Sequence, residues 1–457
     1  HIDIRSIAGA TTVNTGTGAD VVRVGSQAGL ANELGTVDLI AATLSIDGGA
    51  DADTVYVDDT GDTTANTGYL TRNQLAGLGM DGNNTAGGIF YTGLEALDIR
   101  LGSAGDHFNI GSTHTGTTLV LGNNGDDIFL VGTLDPAQNG LLDGIDGKLT
   151  LDGGAGVDEL NVRDNADTSN NKGFLDNVSP TSTRITGLDM GDVGDNGTDV
   201  DAARGIDFGA FEALTLELGG GNDNLAVLGT HAGTNIIDLG VGDDVLNIAE
   251  INGRTTVRGA AGNDIIRVNY TEFGTQTFQN GIHARLTLHG QAGSDLYEVG
   301  LAGTGSSVID LFDQSPLRDP GVDRVRIYGT NAADFFLFRP SMIAAIEVDA
   351  SRNPVAGGSI ERVNYNSDIN GDLSVYGRDG NDTFVMDDTA APITVFGDSG
   401  NDTFQIGQVF ASPRNPADLP AGYTVDAFNA GLVPEDYFPT TLTTRGYLSN
   451  GISASAT

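Results

Sequence analysis

The sequence predicts an all-β chain, an elongated parallel β-solenoid built from ~20-residue coils with irregular insertions. Three observations lead there. One phrase recurs eleven times in 457 residues: an alternating apolar tripeptide, a glycine-rich turn ending in Asp, and a second alternating tripeptide. Where copies follow closely the turns return every 20 or 21 residues, as at Asp223, Asp244 and Asp264, or Asp382 and Asp402. The composition, with 67 Gly, no Trp, no Cys and 6% aromatic residues, leaves too little bulk for the deep core of a large globular enzyme.

The copies begin at Val13 (VNTGTGADVVRV), Leu44, Ile99, Leu119, Leu149 (LTLDGGAGVDELNV), Leu216, Ile237, Thr256, Leu286, Leu373 and Ile393. Alternation in LTL or ELNV sends side chains to two faces, the periodicity of a strand, and the glycines admit the positive φ of a tight turn. Coils stacked ~4.8 Å apart would align identical turns in a column. A slower repeat lies above this one. GIFYTGLEALDIRLGSAGDHFNI from Gly88 returns as GIDFGAFEALTLELGGGNDNLAV from Gly205, which sets Glu95 and Glu212 in register 117 residues apart, and a weaker copy carries Glu361. Their shared place predicts a structural hydrogen bond or ion pair. His114 and His231, in matching THxGT phrases, predict packing or turn chemistry.

The modules this defines are a partial one at 1–43, solenoid modules at 44–148 and 149–285, a degenerate one at 286–411, and a Pro-containing tail at 412–457 that reads as a cap or the start of a truncated module. Insertions near 58–87, 163–204 and 312–360, rich in Asp, Asn, Gly and Thr, read as loops or edge hairpins projecting from one side. The sequence opens on His1 without a charged-then-apolar leader, so it reads as a processed product or a piece of a longer chain.

Charge narrows the function. A formal charge of −40 repels nucleic acid and anionic membranes and favours cations, and no apolar run reaches the ~18 residues needed to span a bilayer. The acid is 51 Asp against 11 Glu, and only Lys148 and Lys172 are lysines. Asp belongs in turns, where its short side chain reaches its own backbone or a hard cation. The turns at Gly122, Gly259, Gly377 and Gly397 each offer backbone carbonyls and one fixed carboxylate. Stacked carboxylates ~5 Å apart repel by roughly 3 kcal/mol at an effective dielectric of ~20, and a divalent ion between them reverses that sign. The plainer alternative is that Gly and Asp only make tight corners through Asx hydrogen bonds.

These turns resemble the glycine-rich nonapeptide repeats of the RTX, or haemolysin-type, calcium-binding proteins, and GGAGVDELN from Gly153 fits their GGxGxDxUx pattern throughout. The resemblance implies a secreted bacterial protein with a parallel β-roll folded on Ca²⁺ outside the cell. Carried over by motif, the metal ligands are Asp127, Asp158, Asp264, Asp295, Asp382 and Asp402, with Asp20, Asp223 and Asp244 from turns one residue shorter. One such turn per ~20-residue coil, where the family has one every nine residues, implies a single ion column or scattered ions. The module-scale repetition is also similar to the tandem arrays of large bacterial surface proteins of adhesin type.

No nucleophile elbow, HExxH, phosphate loop or dinucleotide fingerprint is present. Catalytic sites are singular, whereas nearly every distinctive feature here is repeated. The expectation is therefore a non-enzymatic, calcium-dependent structural protein of the bacterial cell surface or extracellular space: a surface-layer, adhesin-stalk or filament component. Its expected partners are calcium ions, further copies of itself end to end, or cell-surface polysaccharide. The alternative is a β-helix carbohydrate-active enzyme, a lyase, hydrolase or epimerase, or a carbohydrate-binding module, for which Arg318 to Arg326 with Asp319 and Asp323 is the local candidate.

Overall fold

The computed structural model describes residues 1–30, 34–83, 87–191, 204–313, 321–350, 354–386, 389 and 391–406, with the backbone of 452–455. The rest of the Pro-containing 412–457 segment, and Arg318 with Asp319, lie outside the described residues. The chain is nearly all β, the one short helix among the described residues being the 3₁₀ turn Met80–Asn83, and the strands sort into two large, mostly parallel sheets. No helix among the described residues is long and apolar enough to cross a membrane. Two compact units divide it, one of residues 1–225 with 229–240 and one of 226–228 with 241–457.

In the first unit, outside the stretches 67–92 and 172–209, consecutive strands alternate between the sheets, so each pairs in parallel with a strand of the preceding coil. The first sheet runs Ile2–Ile4, Val21–Val24, Thr54–Asp58, Ala96–Arg100, Thr117–Leu121, Lys148–Asp152 and Gly205–Gly209, all parallel. The second runs Thr11–Asn14, Leu44–Asp47 and Ile89–Thr92, and resumes through His107–Ile110, Ile128–Val131, Glu159–Arg163, Ala213–Glu217 and Thr234–Asp238. In Thr54–Asp58 the inward Val55 and Val57 are buried while their neighbours are half-buried, the period-two burial expected of a strand with one covered face.

The second unit repeats the scheme. Val245–Ile248, Ile265–Val268, Leu296–Gly300, Arg324–Tyr328, Leu373–Tyr376, Ile393–Phe396 and Ile452–Ser455 form one parallel ladder. Parallel register places like residues over like. Phe336, Phe384 and Phe404 stack with centroids 5.1 and 5.0 Å apart, and Tyr328, Tyr376 and Phe396 at 5.0 and 4.7 Å.

The insertions differ from the expectation of projecting loops or edge hairpins. Thr67–Thr71 and Gln74–Gly77 are antiparallel partners inside the second sheet, bounded by the parallel strand His107–Ile110 on one side and the antiparallel strand Ile89–Thr92 on the other. Lys172–Ser179 and Ser182–Gly187 enter the first sheet the same way, through Gly205–Gly209, and Phe335–Arg339 and Met342–Ile346 enter between Thr383–Met386 and Ile360–Tyr365. The reason is apolar. Leu70, Leu75, Leu175, Ile185, Phe338 and Ile343 are completely buried, and a hairpin carrying them cannot stand in water.

Candidate metal centre

Each predicted turn aspartate lies just before a strand, and where another coil follows its carbonyl accepts the first bond of the parallel ladder, as when Glu159 N–H donates to Asp127 O, Leu296 N–H to Asp264 O, and Thr403 N–H to Asp382 O. The same aspartate's N–H is buried and needs an acceptor of its own. The carboxylate of the neighbouring turn supplies it. Asp20 N–H donates to Asp53 Oδ1 at 2.8 Å, and Asp53 N–H to Glu95 Oε2 at 2.7 Å. A second run reads Asn66 to Asp106, Asp106 to Asp127, Asp127 to Asp158 and Asp158 to Glu212, each bond 2.7 to 2.8 Å. Asn171 N–H donates to Asp223 at 2.7 Å.

In the second unit the runs are Asp244, Asp264, Asp295, Asp323 and Asn370, and Asp334, Asp382 and Asp402, with bonds of 2.8 to 3.0 Å. All nine sequence-predicted aspartates are thus in ladders. They form several short runs rather than a single column. In the first unit Asp20 and Asp53 precede strands of the first sheet, whereas after the inserted pair 67–77 Asp106, Asp127 and Asp158 precede strands of the second. The insertion changes which crossing carries the acidic turn.

The oxygen left over defines the chemistry. Oδ2 of Asp53, Asp127, Asp158, Asp264, Asp382 and Asp402 is buried and has no hydrogen-bond partner. At Gly122 the position a Cβ would take is 2.5 Å from Asp127 Oδ2 and closer still to the carbonyl of Gly153 in the next turn. At Gly259 and Gly377 the Cβ position again falls against the Oδ2 atoms of Asp264 and Asp382, and lies 2.6 and 2.7 Å from the carbonyls of Gly290 and Gly397. Glycine is required there because a methyl would overlap both oxygens. An orphaned carboxyl oxygen beside a carbonyl needs a proton or a cation. Without a cation, burial and then the neighbouring carboxylates push Asp127 and Asp382 to about 7 and Asp264 to about 8, and burial raises Asp223 to about 6.

Glu95 and Glu212 each close a run, taking the N–H of Asp53 and Asp158, while their own carbonyls accept Thr117 and Thr234 N–H. Glu361 instead accepts Ala302 and Gly303 N–H, and burial lifts it to about 7. His114 packs on Tyr91 and its Nδ1 meets Leu94 O, and His231 packs on Phe208 with Nδ1 on Asn235; burial lowers both rings below 6.5.

Sequence reading missed several ladder members. Asp53 and Asp106 sit in irregular turns: the Leu44 copy has Asp51 in place of the second glycine, and in the Ile99 copy Asp106 comes one residue early with the exposed His107 after it. It also missed a second kind of acidic cluster, in which carboxylate oxygens of Asp143, Asp164 and Asp167 lie within 4.8 Å of one another. Burial raises Asp164, and Asp59 of a matching cluster, to about 8. The signal was available, as VDDTGDTTAN from Val57 and VRDNADTSNN from Val162. Comparison with protein-family models gives no match for this chain, and a search of curated proteins gives none either.

Proposed function

We propose that the chain is a non-catalytic structural scaffold whose strand alternation is that of a parallel β-solenoid, and whose glycine turns take Ca²⁺ between neighbouring coils. The observation that carries this reading is the orphaned Oδ2, which recurs at Asp127, Asp264 and Asp382 with a glycine carbonyl of the next turn packed against the same turn glycine. A hard divalent ion accepts both oxygen types and removes the cost of unpaired buried carboxylates. Calcium is plentiful outside cells, so folding coupled to it fits a surface-layer, adhesin-stalk or filament component of the cell surface, self-associating or held on polysaccharide. The test is a calcium titration of metal-stripped protein, following far-UV circular dichroism and hydrodynamic radius, with magnesium as control. A calcium-specific gain of β signal with compaction supports the reading. A stripped protein that is fully folded and indifferent to calcium reduces the turns to hydrogen-bonded corners and overturns it.

One observation favours a second reading, carbohydrate binding. A groove of about 350 Å³ in the second unit is lined by His283, Arg285, Arg362 and Asn364 among small and apolar residues. It brings Arg362 together with Arg285, which is paired with Asp310, in a chain of net charge −40, a setting suited to an acidic sugar. Its lining contains no carboxylate pair, which points to binding and not to glycoside hydrolysis.

A further inference from the structure

Four residues of the first unit recur together at a spacing of 105: Asp38, Asp59, Asp62 and Asn66 return as Asp143, Asp164, Asp167 and Asn171. Most of their bonding recurs in both copies, the difference being Asp164 Oδ2, which also accepts from the Asn171 carboxamide at 3.4 Å. Val37 N–H donates to Asp59 Oδ1 and Leu142 N–H to Asp164 Oδ1, both at 2.9 Å. Asp62 N–H reaches Asp59 O at 2.8 Å, and Asp167 N–H reaches Asp164 O at 2.9 Å. The carboxamides of Asn66 and Asn171 donate to Asp62 and Asp167, and their backbone N–H groups donate to Asp106 and Asp223, so each cluster stands at the head of an aspartate ladder.

Repetition of an acidic cluster would be no more than a repeated corner, but one atom is out of place in a corner. Asp59 is 0% exposed, its Oδ1 is committed to Val37, and its Oδ2 has no partner. The charged neighbours acting on it are Asp62, Asp38 and Asp106, all acids. Among the described residues none of the six cluster aspartates makes a salt bridge. Asp38 and Asp143 are exposed, so each cluster opens to solvent at one side and is buried at the other.

From these observations we infer two related sites for a hard divalent cation, Ca²⁺ by their all-oxygen chemistry: one formed by Asp38, Asp59 and Asp62, which holds the orphaned Oδ2, and its repeat formed by Asp143, Asp164 and Asp167, whose carboxylate oxygens lie within 4.8 Å of one another. Three carboxylates supply the charge, and water at the open side completes the six to eight oxygens the ion requires. These sites are separate from the glycine turns and do not depend on those turns binding calcium.

Bound calcium is counted by equilibrium dialysis of the metal-stripped full chain and of the Asp38→Asn, Asp143→Asn and doubly substituted variants, with Asp127→Asn as the turn control. Both substituted positions are exposed, and unchanged far-UV circular dichroism confirms folding. Each single variant is expected to weaken one tight site about tenfold or more, and the double variant to weaken two, whatever number of ions the turns add. Asp127→Asn leaves these two sites intact. Asp59→Asn provides an independent readout: it is expected to raise the urea midpoint of the metal-free protein while reducing the stabilisation by calcium. A double variant with unchanged ion count and affinity, or no calcium binding by the parent chain, overturns the inference.

Discussion

At the scale of the residue, the turn aspartate has two tasks, and its two oxygens divide them. Oδ1 replaces the backbone acceptor that the corner lacks, and Oδ2 is left to the solvent ion or the proton. Asp264 allows these to be separated. Its Oδ1 takes Asp244 N–H at 2.9 Å, and its Oδ2 lies without a partner near the Gly290 carbonyl. Asp264→Ala strands the Asp244 N–H and is expected to cost about 1–3 kcal/mol. Asp264→Asn keeps the acceptor and places an N–H donor where Oδ2 faced a carbonyl. In chelator at about pH 8 the urea midpoints should therefore rank Asn above Asp above Ala. Equal midpoints for Asp and Ala would show that the ladder bond contributes nothing.

At the scale of the element, the repeating phrase was legible because strand and turn chemistry are local: alternating apolar residues, glycines at positive φ such as Gly125 at 117°, and Asp at the strand entrance. The inserted hairpins were not legible as sheet members. Their residues 67–77 carry as much polar sequence as a loop, and only partners distant in the chain decide that Leu70 and Leu75 face inward. Register with His107–Ile110, forty residues on, is a tertiary fact. The distinction has a measurable consequence. Leu75→Ala empties a completely buried position and is expected to destabilise the protein by about 2–5 kcal/mol in urea unfolding. A hairpin projecting into solvent would lose almost nothing.

At the scale of the molecule, the acidic sequence promised cation chemistry but hid how the acid is distributed. Asp59, Asp164 and Asp264 are held at about 8, and Asp127, Asp382 and Glu361 at about 7, by burial first and, for all except Glu361, by several acidic neighbours after it. In the unfolded chain the same groups ionise near 3.8, or 4.5 for Glu361. Between those values the folded state binds more protons than the unfolded one, so stability falls as pH rises, the loss starting above about 4 and finishing above about 8. His114 and His231, held below 6.5, oppose this, but they are two groups against six.

Metal-stripped protein should accordingly show a lower urea midpoint at about pH 8 than at about pH 5. The net charge of −40 would produce a trend of the same sign through surface repulsion, and salt separates the causes. Repulsion among exposed carboxylates is screened within a Debye length of ~10 Å at 0.1 M salt, whereas the desolvation of buried Oδ2 atoms is not. Added NaCl is expected to raise both midpoints and leave most of the gap between them. If the gap closes in NaCl, the surface charge is its source. If it persists in NaCl and closes in calcium at matched ionic strength, the buried carboxyls are exchanging protons for a bound ion.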